Sequence, residues 1–221
     1  MNKTTYFRHL ESPIGKLLLR SDGEALIGLH MTGLASGAAP QSRCTIRGGR
    51  ASGRAGPECG SAGASLSQNH EGPLMPEGAW KQDKALFVSV VQQLEAYFAG
   101  ESVSFDLPLQ MDGTAFQRRV WQALCNIPFG HTISYIELAR RVGNPRASRA
   151  VGGANGKNPI AVIVPCHRVI AAGGGLGGYG GGPDRKRWLL EHEASVLARH
   201  PEWERRRHAG DTAPPLLDLS H

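Results

Sequence analysis

The sequence predicts an α+β protein. A small amino-terminal antiparallel sheet with one helix precedes a mainly helical carboxy-terminal part, which carries a helix-turn-helix and a candidate active-site cysteine. Three observations predict this. Residues 4–31 hold short apolar runs separated by turn residues. Residues 114–154 hold two capping-box patterns and a Gly-Asn turn between short helical stretches. Residues 160–168 read as a buried apolar strand that Pro165 stops, followed at once by Cys166, His167 and Arg168.

The first domain is expected over residues 1–110. Tyr6-Phe7, Lys16 to Arg20 and Ala25 to Leu29 read as three strands, with Ser12 to Gly15 and Asp22-Gly23 as turns. A Gly/Ala/Ser-rich insertion at about 33–72 interrupts it. Over residues 33–64, 19 of 32 positions are Gly, Ala or Ser, too little apolar surface to offset ordering entropy, so a flexible segment is expected. Leu86, Phe87, Val90, Val91, Leu94, Tyr97 and Phe98 then fall at helical spacing, with Gly100 as a stop. Phe105 to Leu109 reads as a short edge strand or linker.

The second domain is expected over residues 111–194. Thr114 to Gln117 and Ser134 to Glu137 match capping boxes. The first of these helices should bury Phe116, Val120, Trp121 and Leu124. The second runs from Tyr135 to about Val142 and stops at Gly143. Asn144 is expected to cap a third, with Pro145 at its first position. That third helix is built from small residues (Ala147, Ser148, Ala150, Gly152, Gly153, Ala154), which permit close approach to a surface, and it carries Arg146 and Arg149. Gly173 to Gly182 is a glycine loop around Tyr179, able to offer backbone N–H groups. Pro183 opens a final helix ending near Glu193, and residues 195–221 are expected to be a disordered tail.

Composition narrows the function. Residues 114–193 hold 11 Lys/Arg against 4 Asp/Glu, whereas the rest of the chain balances 14 against 15. The positive field therefore sits on the segment containing Cys166, which suits a polyanionic partner. No run approaches a membrane span, and the first residues lack an apolar signal region. Cys44, Cys59, Cys125 and Cys166 form no CxxC pair and no metal-ligand spacing, so a cytoplasmic protein with reduced thiols is expected, without metal or cofactor. A thiol beside an imidazole and a guanidinium can become a nucleophile, although a buried structural cysteine would read the same way in isolation.

Pro165-Cys-His-Arg-Val-Ile170 resembles the active-site signature of the O6-alkylguanine-DNA alkyltransferases, the methylated-DNA–protein-cysteine methyltransferases. Gly113-Thr-Ala-Phe-Gln117, Ile127-Pro-Phe-Gly130, Ser134-Tyr135, Asn144-Pro145, Arg149-Ala-Val-Gly152, Asn158-Pro159, Gly178-Tyr179 and Leu189-Leu190 fall where that family has them. The likeness is close over about residues 80–193 and looser over 4–31, while the insertion and the tail depart from the pattern.

The resemblance implies a reaction and a set of roles. An alkyl group would pass irreversibly, once per chain, from guanine O6 in double-stranded DNA to Cys166, with O4-alkylthymine as a further substrate. His167 would reach Cys166 through a water, oriented by Glu193. Tyr135 would donate a proton to the purine, help worth about 100- to 10,000-fold. Asn158 would bridge the helix pair to the cysteine. Arg149 would enter the base stack as the target nucleotide flips out, with Arg146, Ala147 and Ser148 also contacting the minor groove. Val169, Tyr179, Gly180 and Gly181 would wall the pocket, Gly180 standing where the family often has Ser. A monomer is expected. A non-catalytic binder of alkylated DNA, a regulator switched by alkylation and a thiol hydrolase are the alternatives. The presence of Cys166, the absence of an added Cys-rich domain and the adjacency of Cys166 to His167 respectively count against them.

Overall fold

The computed structural model describes residues 4–32 and 80–203. The insertion and all but the first nine residues of the expected tail lie outside them. β1 (Thr5–Leu10), β2 (Lys16–Ser21) and β3 (Leu26–Thr32) form an antiparallel meander, with Leu10 opposite Leu17 and Leu19 opposite Leu29. Gly15 (φ +97°) and Gly23 (φ +102°) make the two reversals in a backbone region that side chains resist. Leu17, Leu18 and Leu19 are all buried, because β2 is central and covered on both faces. β4 (Trp80–Gln82) pairs in parallel with β1, giving the order β3-β2-β1-β4. This corrects the purely antiparallel expectation; three residues carry no periodic signal.

Asp83 accepts hydrogen bonds from the N–H groups of Ala85 and Leu86 and starts a 3₁₀ turn, Ala85–Phe87. α1 (Val88–Ala99) follows and buries Val90, Val91, Leu94 and Tyr97. Leu86 is 40% exposed rather than in the stripe, since the tighter turn takes it off the buried face. Residues 105–109 form no strand; Leu26 N–H donates to Pro108 O and Gln110 N–H to Leu26 O, which lays this segment along β3.

α2 (Ala115–Cys125) begins at a complete capping box of Thr114 and Gln117. It buries Val120, Trp121 and Leu124, while Phe116 is only partly covered. α3 (Tyr135–Arg141) is capped by the Ser134 hydroxyl and stops at Gly143 (φ +79°). α4 (Ser148–Gly156) begins later than expected: Asn144 to Ala147 is a turn, closed by Ala147 N–H on Asn144 O, and no side chain caps the helix. Pro145 suits the second position of such a turn as well as the first position of a helix. Trp121 Nε1 donates to Ala154 O at 2.9 Å and locks α2 to α4.

The expected strand at 160–164 is not one. Ile160 makes a single parallel bridge with Leu29, and the chain then turns through Ala161 to Ile163. Val162 is fully buried with φ +70°, a strained conformation for a β-branched residue that the surrounding contacts hold in place. A 3₁₀ turn, Cys166–Arg168, carries the signature residues. β6 (Val169–Ile170) leaves it and pairs in parallel with β5 (Ile133–Ser134), which leads directly into α3. That short pairing brings the start of α3 to the cysteine turn. α5 (Pro183–Arg199) runs past the expected end, with Val196 fully buried and Trp203 packed against the core, so residues 195–203 belong to the fold rather than to a tail.

Candidate active site around Cys166

Two asparagines shape the turn that carries Cys166. Asn158 Nδ2 donates to Val164 O at 2.7 Å, and Asn158 Oδ1 accepts from Ile160 N–H at 3.0 Å. Its side chain also hydrogen-bonds Cys166. Asn155, from α4, donates to Cys166 O at 3.3 Å. Asn155 thus ties α4 to the cysteine turn, and Asn158 ties the segment after α4 to it; Asn155 was missed, because nothing in a run of small residues marks it as buried.

Cys166 is 5% exposed. Burial pushes its thiol up, while the Asn158 side chain, the Lys186 ammonium and the N–H groups of Cys166 and His167 pull it down. Burial prevails, so the resting site keeps the proton on sulfur and a base must remove it.

His167 is fully buried, and its Nε2 lies 2.8 Å from Glu193 Oε1. Burial lowers its pKa, and Arg168 and Lys186 add to that against the pull of Glu193. The ring is thus neutral, with the proton on Nε2 toward the carboxylate and a lone pair on Nδ1. Nδ1 meets no protein hydrogen-bond partner among the described residues. It is a buried proton acceptor on the same short turn as Cys166.

Glu193 is fully buried. Burial alone would raise its pKa, but His167 and Arg168 outweigh it and hold the carboxyl well below the usual range. Arg168 Nε donates to Oε2 at 2.9 Å and its Nη2 to Oε1 at 3.0 Å. Its Nη1 donates to Ile127 O at 2.6 Å, and its guanidinium lies over the Phe129 ring. Gly130 N–H donates to Oε2 at 2.8 Å, and Tyr97 Oη to Oε1 at 2.8 Å. Sequence reading missed Arg168 and Tyr97 as members of this cluster. Arg168 stands in the signature, but its carboxylate partner is 25 residues away in the chain. Tyr97 has the spacing of any other residue in a core stripe.

Lys186 was also missed. Its side chain is buried, and Nζ donates to Val169 O at 2.6 Å and Gly178 O at 3.5 Å. It lies close enough to Cys166 for each to shift the other's titration. A lysine one turn into a helix ordinarily faces solvent, so only the packing of α5 against β6 reveals it.

The remaining expected residues fall around this centre or on the outer face. Tyr135, at the start of α3, donates to Gly178 O over a long 3.4 Å and is near enough to Cys166 to feel its charge. Burial raises its pKa first and Cys166 second, so it is a neutral phenol able to donate. The Tyr179 hydroxyl is buried without a hydrogen-bond partner among the described residues. Val169 is fully buried. Gly181 packs so closely on Met31 and Tyr179 that a side chain there would collide with the Met31 sulfur, whereas Gly180 faces open space. Arg149 projects exposed from α4, Arg146 lies exposed in the preceding turn, and Ala147 and Ser148 at the helix start are half-buried. The structure therefore groups Cys166, His167, Asn158, Glu193, Tyr135, Val169 and Tyr179, and leaves Arg146 and Arg149 on the surface.

Comparison with known proteins places this arrangement. Residues 3–111 match the family model "6-O-methylguanine DNA methyltransferase, ribonuclease-like domain", and residues 115–195 match "6-O-methylguanine DNA methyltransferase, DNA binding domain". The methylated-DNA–protein-cysteine methyltransferase of Mycobacterium tuberculosis is 45% identical over 190 residues, covering 86% of this chain and 93% of that protein. That of Mycobacterium leprae is 43% identical over 186 residues, covering 84% and 90%. The crystal structure of Mycobacterium tuberculosis O6-methylguanine methyltransferase superposes with a TM-score of 0.65 at 43% identity, covering 87% and 94% of the two chains. Mycobacterium tuberculosis OGT in complex with DNA superposes at 0.64, with 42% identity and 86% and 94% coverage. Such identity over most of both chains, with both halves of the family matched in order, makes this chain a member of the methylated-DNA–protein-cysteine methyltransferase family.

Proposed function

We propose that the protein repairs alkylated DNA directly, taking the methyl or larger alkyl group from O6-alkylguanine, and from O4-alkylthymine, onto Cys166 once per chain. The observation that carries this reading is the buried pair of Glu193 and His167, the histidine on the cysteine turn with an Nδ1 that meets no hydrogen-bond partner among the described residues. A thiol that burial keeps protonated is poorly reactive until a base takes its proton.

In the reaction, Nδ1 of His167 accepts the Cys166 proton through a water, and Nε2–H stays on Glu193. The sulfur pair attacks the alkyl carbon, the carbon–oxygen bond breaks, and its electrons go to the base. Tyr135 donates a proton to the purine as that charge develops. Lys186 stabilises the thiolate before attack. The product thioether is stable and the base leaves unalkylated, so the chain is consumed. No cofactor enters, and one monomer acts alone in the reducing cytoplasm.

A thiol this deeply buried cannot reach a stacked base, so the target nucleotide must leave the duplex. The exposed Arg149 on a helix of small residues suits insertion into the vacated stack from the minor groove, with Arg146, Ala147 and Ser148 on the backbone. Val169, Tyr179, Gly180 and Gly181 wall the pocket, and backbone N–H groups at Gly180 and Gly181 serve O6. The Mycobacterium tuberculosis relative crystallised with DNA supports this partner.

The test is duplex DNA carrying labelled O6-methylguanine. At most one label should appear per chain, on Cys166, and Cys166→Ala should bind the duplex while taking up none. Repeated turnover, or label on Cys125, would overturn the reading. A non-catalytic damage binder would take up no label at all.

A further inference from the structure

Tyr97 stands in the amino-terminal half of the chain, 69 residues before Cys166, yet its hydroxyl ends inside the site. Glu193 Oε1 receives Tyr97 Oη at 2.8 Å, His167 Nε2 at 2.8 Å, and Arg168 Nη2 and Nε at 3.0 and 3.2 Å. A carboxylate oxygen has two in-plane lone pairs, so these donors compete for one charge. Oε2, by contrast, takes Arg168 Nε and Gly130 N–H among the described residues. The tyrosine thus acts on the same oxygen that sets the histidine.

Its ring has no freedom to leave. Tyr97 is fully buried, with ring centroids of Phe98, Phe105, Phe129 and His192 between 5.3 and 5.9 Å away. Its carbonyl accepts from His192 Nε2 at 2.9 Å, which ties α1 to α5 a second time. A side chain locked by packing, with its one polar atom on a functional carboxylate, supports that carboxylate geometrically and electrically. Burial keeps the phenol neutral, so it acts only as a donor.

We propose that Tyr97 is a positioning residue of the transfer site: its hydroxyl holds Glu193 Oε1 and limits how much of that oxygen's charge reaches His167. This rests on the alkyl-transfer reading above. The amino-terminal half thereby supplies a group to the proton path, beyond its packing role. The charged and titratable groups facing this path are Glu193, Lys186, Arg185 and His192 from α5, Arg168 and Cys166 from the cysteine turn, Tyr179 from the glycine loop and Tyr97 from α1. Only the last is altered in the test.

Tyr97→Phe keeps the ring and removes the donor. Oε1 then places more charge on His167, so imidazolium forms more readily. The titration of His167, read by nitrogen-15 NMR of imidazole-labelled full-length protein without DNA, should move up by about half a pH unit. The acid limb of the methyl-transfer rate should move with it. Tyr97→Leu should lower the melting temperature further than Tyr97→Phe but show the same direction of shift. An unchanged His167 titration in folded Tyr97→Phe overturns the proposal, whatever its rate. If wild-type protein transfers no methyl group while the titration still moves, the alkyl-transfer reading fails and the Tyr97 link stands.

Discussion

Arg168 grips Glu193 across both carboxylate oxygens, Nε to Oε2 at 2.9 Å and Nη2 to Oε1 at 3.0 Å, with both side chains buried. The pair is what allows a carboxylate to remain ionised in the core beside a neutral histidine. A further contact, Nη1 on Ile127 O, ties the arginine to the turn before β5.

Breaking that grip should unfold the site rather than merely slow it. Arg168→Ala leaves an unpaired buried charge, and removal of one partner of such a pair costs about 3–5 kcal/mol. Arg168→Lys restores the charge but not the fork, and should recover only part of the loss. Urea unfolding monitored by tryptophan fluorescence measures both. Wild-type stability in Arg168→Ala would show that the grip contributes little.

Lys186 should matter for reactivity more than for folding. Its ammonium is one of the groups that lower the Cys166 pKa against burial. Lys186→Met keeps the length of the stem and removes the charge. The reaction of Cys166 with iodoacetamide at pH 7 should slow by about tenfold, the effect of one pKa unit on the thiolate fraction. The same rate in both proteins would exclude Lys186 as the counter-charge.

Arg149→Ala should separate duplex chemistry from pocket chemistry. Arg149 is exposed on α4. Transfer from duplex O6-methylguanine should fall by at least about tenfold, the energy of one unstacking step left uncompensated. Transfer from the free base should change less than about twofold, because no stack has to be opened. Equal losses on both substrates would count against a flipping role.

Acid should weaken the fold in two stages. Burial depresses His167 below its ordinary 6.5, and burial with Arg20 depresses His30 to about 4. The unfolded chain therefore binds protons near pH 6.5 that the folded chain refuses, so the stability present above pH 6.5 drains as pH falls through the folded values. Glu193, held below its ordinary 4.5 by His167 and Arg168, adds a second loss beneath pH 4.5. The urea midpoint should decline steadily from about pH 7 to about pH 5 and more steeply below about 4.5. A midpoint flat down to about pH 4 would contradict both shifts.

Local chemistry was legible wherever a residue acts on its near neighbours in the chain. The Thr114 capping box, the stop at Gly143 and most of the stripe of α1 depend on spacings of a few residues, and they stand as read; at Ser134 the hydroxyl caps the helix, but Glu137 turns to Arg140 and Arg141 instead of closing a second box, and Leu86 leaves the stripe. The run at 160–164 misled, because hydrophobicity reports burial and not backbone path; a strand and a buried turn with Val162 at positive φ have the same composition. The start of α4 misled because Asn-Pro serves a turn as well as a cap.

By itself the sequence determined the α+β class, the order of the helices, the adjacency of a thiol and an imidazole at Cys166 and His167, and the family to which the chain belongs. Those properties follow from residue identity and short spacing. The tertiary structure alone decided which charges are buried together. Tyr97, Arg168, Lys186 and Glu193 come from α1, the cysteine turn and α5; Tyr97 and Lys186 read as an ordinary core and an ordinary surface residue in sequence, and nothing there paired Arg168 with Glu193. Their mutual effect depends on distances of about 3 Å inside a poorly solvated core, where Coulomb energies rise several-fold over those in water.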